Sequence, residues 1–126
     1  MNAASQLLSR ELGELVDWRP KDVEYTQRVE GGDWRVTPYG YGACYASKAA
    51  YSLSYLLRKL QTVQIVDGNY GPDDFPVKLY WSPVKRLWVC GLRTQLYCAE
   101  AEIPEDAAAS LAIKLARAGV WKKSES

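Results

Sequence analysis

Five side chains recur at the spacing of a helical turn: Lys48, Tyr51, Tyr55, Arg58 and Lys59. Residues three and four apart share a helix face, so a helix here would gather three cations and two phenols on one side. Tyr and Arg dominate interface hot spots, and such a stripe suits recognition of an acidic protein surface. The competing reading packs Tyr51 and Tyr55 inward, because a small domain buries most of its aromatic rings. A second set, Lys78, Tyr80, Lys85, Arg86 and Arg93, is interleaved with Trp81, Trp88 and Tyr97. Rings between cations grip single-stranded nucleic acid by stacking and phosphate contact; the competing reading is an amphipathic sheet with core tryptophans and outward lysines. A third set, Gly40, Gly42, Ser47 and Lys48, leads into the expected helix, whose free N–H groups could hold a phosphate or carboxylate. The order is wrong for a Walker A loop. The dinucleotide fingerprint also fails, since Tyr45 stands where its third glycine belongs.

Other chemistry is scarce. The chain has no histidine, which removes Ser-His and Cys-His nucleophile pairs. It also removes the usual catalytic zinc sites and the commonest general base. No catalytic residue set assembles, and no cofactor is expected. The acidic run Asp67, Asn69, Asp73, Asp74 lacks the sixth-position glycine and terminal glutamate of an EF-hand loop, so no metal is expected either. Cys44, Cys90 and Cys98 form no CxxC pair and read as reduced thiols of a cytoplasmic protein. No run approaches the roughly 18 apolar residues of a membrane span, and the N-terminus lacks the regions of a secretory signal.

The net charge of +1 hides a segregated pattern: −3 over 1–33, +4 over 34–66, −3 over 67–76, +4 over 77–99, −4 over 100–106 and +3 over 107–126. Segregated charge makes local fields that recruit partners even when the total is near zero. Nucleic-acid domains usually run far more basic. The leading expectation is a small non-catalytic interaction or regulatory protein, with an acidic protein surface as its favoured partner. Nucleic-acid binding through the second helix, the second set on its strands, or both is the alternative, and a nucleotide-like ligand at the Gly40/Gly42 loop is a further one. A homodimer remains open.

The elements that must position these residues follow from hydrophobic period and punctuation. A chain of 126 residues reads as one domain, 1–126, with a frayed tail at 122–126. Leu7, Leu8, Leu12, Leu15 and Val16 predict a helix over 3–16, blocked by Pro20. Alternation over 23–29 and again at Trp34 and Val36, around Gly31-Gly32, predicts a hairpin with both glycines at positive φ. A second helix is expected over 45–60, a short strand at 63–66, a turn-rich loop at 67–76, strands at 77–81, 87–92 and 95–102, and a last helix from Pro104 to a Gly119 cap. The order αββα, then strands, then α, gives an α+β domain: one antiparallel sheet of five or six strands, helices mainly on one face. Residues 48–57 faintly echo 106–115, with Ala49/Ala107, Leu53/Leu111 and Leu57/Leu115 among the matches. From Tyr45 onward the element order resembles that of double-stranded RNA binding domains. Those domains carry lysines where the last helix starts; here it starts Pro104-Glu105-Asp106, so no residue role is transferred.

Overall fold

The computed structural model describes residues 2–40, 42, 44–62, 77–92 and 97–118. The element order is α1 (Gln6–Leu15), β1 (Val23–Gln27), β2 (Trp34–Pro38), β3 (Ala46–Ala49), α2 (Leu53–Thr62), β4 (Lys78–Ser82), β5 (Leu87–Gly91), β6 (Cys98–Ala101) and α3 (Pro104–Ala118). The class is α+β with antiparallel strands, as the sequence predicts. The strands form two three-stranded sheets, ordered β2-β1-β3 and β4-β5-β6, where a single sheet was expected. The strand at 63–66, the loop at 67–76, Arg93, Gly119 and the tail at 122–126 lie outside the described residues.

Local chemistry explains most boundaries. Ser5 caps α1, its Oγ accepting from the Leu8 N–H at 3.4 Å, which satisfies one of the orphan donors of the first turn. The β1–β2 connection turns on Glu30-Gly31, one residue earlier than the diglycine suggests. The Gly32 N–H donates to Val29 O at 3.0 Å, and only Gly31 of the pair takes a positive φ, 76°. That is the position of such a turn where a side chain is penalised and glycine is not.

The expected second helix is corrected. Residues 46–49 pair antiparallel with β1, Glu24 opposite Ala49 and Gln27 opposite Ala46, and the helix starts only at Leu53. The Ala- and Lys-containing run favours helix weakly, and tertiary context overrides so small a preference. Here the context is the second edge of β1, and a small apolar cluster of Ala3, Val23, Tyr25 and Ala50. Ser52 then starts α2 afresh: its Oγ accepts from the Tyr55 N–H at 3.2 Å and donates to Asp22 Oδ2. The echo between 48–57 and 106–115 dissolves with this correction. Ala49 is in a strand where Ala107 is helical, and Leu53 opens α2 where Leu111 sits inside α3.

Helix α3 is the centre of the main core. It packs against α1, α2, β5 and β6, and Ala107, Ala108, Ala109, Leu111, Ala112, Ile113 and Leu115 are all buried. Its alanines let neighbouring elements approach closely. The segment before α1 ties the two sheets' cores together. The Ala4 N–H donates to Tyr51 O at 2.9 Å, while the Tyr25 hydroxyl and Ser9 Oγ both donate to Ala4 O.

Candidate partner-binding surface

The stripe expected on the second helix is broken up. Tyr51 is 1% exposed, one of the largest fully buried side chains in the core. Burial, and secondarily its neighbour Tyr55, push its hydroxyl up to about 12. Lys48 belongs to β3. Its Nζ donates to Gln6 Oε1 at 2.8 Å and sits 4.1 Å from the Trp34 ring centroid, so its cation engages the first sheet and α1. Tyr55, Arg58 and Lys59 remain together on α2. Tyr55 is half-buried, with its ring edge-on to Trp18 at 6.4 Å between centroids. The Lys59 ammonium lies 6.0 Å from Trp18 and 5.8 Å from Tyr55. Trp18 is the member of this cluster that sequence reasoning missed. It falls after the periodic part of α1, where nothing local signals a partner on α2.

The Gly40/Gly42 loop leads into a strand, so the helix start on which the anion-binding reading depends is absent. Gly40 has φ 72° and Gly42 φ 152°, which explains the glycines as backbone necessities. The Gly40 N–H donates to Glu24 Oε1 at 3.3 Å, placing a carboxylate beside the donor that an anion would need. Ser47 and Lys48 are consecutive in β3 and so project to opposite faces. Cys44 is exposed and likewise precedes a strand. Burial pushes the Cys90 thiol up to about 12, the mark of an inert structural cysteine.

Lys78, Tyr80, Lys85 and Arg86 of the second set are all exposed. β4 and β5 pair with Trp81 opposite Trp88 and Tyr80 opposite Val89. The two-residue period places Lys78 and Tyr80 on one face, and Leu79 and Trp81 on the other with Trp88 and Cys90. The Trp81 and Trp88 rings meet edge to face, 5.8 Å apart at 65°. Helix α3 packs on β5 and β6, so Trp81, on the outer strand β4, stays 46% exposed. Tyr80 is 53% exposed and Val84, in the turn, 93%. The turn at 83–86 closes with the Arg86 N–H donating to Ser82 O at 2.7 Å. Arg86 has φ 54°, the one non-glycine at positive φ among the described residues. Lys85 Nζ donates to Glu100 Oε1 at 2.5 Å. That hydrogen bond, followed by the carboxylate's charge, raises the ammonium's pKa.

Among the described residues no group of three His, Cys, Asp or Glu could hold a metal, and no helix is long and apolar enough to cross a membrane. No protein-family model, curated protein or solved structure matches the chain.

Proposed function

We propose that this protein is a small non-catalytic interaction module that docks on an acidic protein surface through the β4–β5 hairpin. The observation that carries this is Val84, 93% exposed, at the tip of a hairpin that holds Lys78, Lys85 and Arg86 and no acid. An apolar side chain offered to water at the tip of a hairpin whose strand β4 also exposes Trp81 and Tyr80 gains from being covered, at about 25 cal/mol per Å² of apolar area buried. The cations around it steer an acidic partner and fix its register. Arg86 adds a second sign: a non-glycine held at positive φ costs about 1–3 kcal/mol, and such strain clusters at functional positions. The nucleic-acid alternative is disfavoured by geometry. Stacking needs open ring faces on one side, whereas Tyr80 projects away from Trp81 and Trp88, which turn edge to face on each other.

The test is a titration of ¹⁵N-labelled protein with a synthetic peptide of glutamates and interspersed leucines. Shifts centred on residues 80–86, weakened by salt and abolished by Val84→Asp, are expected. Shifts centred on Tyr55 and Arg58 would move the docking face to α2. A parallel titration with single-stranded DNA that quenches tryptophan emission at lower concentration than the peptide acts would favour nucleic acid instead.

A further inference from the structure

We propose that Glu100 is an internal stand-in for the partner's carboxylate, held on Lys85 until docking displaces it; this rests on the hairpin being the docking site. The sheet register brings the two groups together. Tyr80 lies opposite Val89 and Val89 opposite Glu100, so these three residues form one row on the face away from α3. Lys85 reaches back from the turn to Glu100 Oε1 at 2.5 Å. The hairpin carries no acid of its own, and no described carboxylate forms a salt bridge with Lys78 or Arg86. Glu100 is therefore the described acid that neutralises one hairpin cation.

The pair is built for exchange. Its side chains are 59% and 32% exposed for Lys85 and Glu100 respectively. Exposed ion pairs contribute little net stability, and a solvated Glu100 released by a competitor carries no penalty of a buried unpaired charge. Lys78 and Arg86 then supply first attraction, and Lys85 joins only when an incoming carboxylate outcompetes Glu100. A singly acidic surface gains little from this site. A partner with several carboxylates at hairpin spacing gains the third cation, so the contact discriminates by charge density, through an internal competitor.

The experiment is a double-mutant cycle on binding of the Glu/Leu peptide at low salt, with Glu100→Gln, Lys85→Gln and the double variant. Glu100→Gln is expected to tighten binding about two- to fivefold, as for freeing an exposed ion-pair partner. Lys85→Gln is expected to weaken it, because the peptide then loses the third cation, and Glu100→Gln is expected to add little in that background. No gain from Glu100→Gln overturns the inference. A gain that persists with Lys85→Gln also overturns it, since it then reflects net charge and not this pair. Val84→Asp separates the two levels. If that substitution leaves peptide affinity unchanged, the hairpin reading falls and this one with it; if it abolishes binding while the cycle shows no coupling, only the stand-in falls.

Discussion

The backbone N–H of Ser5 donates to Asp106 Oδ1 at 2.6 Å, across 101 positions of sequence. Ser5 is the N-cap of α1 and Asp106 lies in the first turn of α3, so one carboxylate serves two helix starts. It favours the positive end of its own helix dipole and satisfies a donor at the entrance of the other. Asp106→Ala is expected to cost about 1.5–3 kcal/mol, as for hydrogen bonds to charged groups. Asp106→Asn, which keeps an acceptor, should cost less. Urea denaturation of the two variants checks the order.

Tyr51 and Tyr55 separate in their effects. Tyr51→Ala opens a cavity in the main core and is expected to cost about 3–5 kcal/mol, as for other large aromatic truncations. Tyr55→Ala removes a half-buried ring and should cost clearly less. Thermal melts of both variants test this; equal, small losses would place Tyr51 outside the core.

Alkaline pH should loosen the fold in a defined window. The Tyr51 hydroxyl is raised from 10.0 to about 12 in the folded protein, first by burial. A raised folded pKa means the unfolded chain loses its proton first. The contribution is fully present below pH 10 and is lost as pH rises through about 12. Tyr25 and Tyr55, also raised mainly by burial, act in the same sense. Denaturation midpoints should fall with pH across this window, and less steeply in Tyr51→Phe.

The small residues of α3 set the distance to its neighbours. Ala108 has no exposed surface, and Ala108→Leu is expected to cost about 1–3 kcal/mol by overpacking. Leucine has nearly alanine's helix propensity, so a loss measured by denaturation would come from packing.

Arg86→Gly is expected to divide stability from binding. Glycine takes φ 54° without the steric cost borne by Arg86, so the variant should be more stable by about 0.5–1 kcal/mol. Loss of the guanidinium should at the same time weaken peptide binding. Melting temperature and the titration, measured on one sample, read both.

Where one residue's neighbours in sequence decide its conformation, the sequence was readable. Pro104, Glu105 and Asp106 announce α3, and the alternation around Trp34 and Val36 announces the first hairpin. The turn between β4 and β5 falls in the gap left between the expected strands at 77–81 and 87–92. The caps at Ser5 and Ser52 were not read from the sequence and emerge only from the structure. The helical period of Lys48, Tyr51, Tyr55 and Arg58 extended the expected helix across β3.

Composition, the missing histidine, the segregated charge and the α+β class belong to the sequence alone, because they need only residue types and short-range period. Burial of Tyr51, capture of Lys48 by Trp34 and Gln6, the split into two sheets and the exposure of Val84 were decided by the tertiary structure. Each depends on which surfaces meet across tens of residues: the free edge of β1 drew residues 46–49 out of a helix, and α3 covers β5 and β6 while leaving Trp81 on β4 open. Free energies of that kind belong to pairs of distant elements, so no single segment of the chain encodes them.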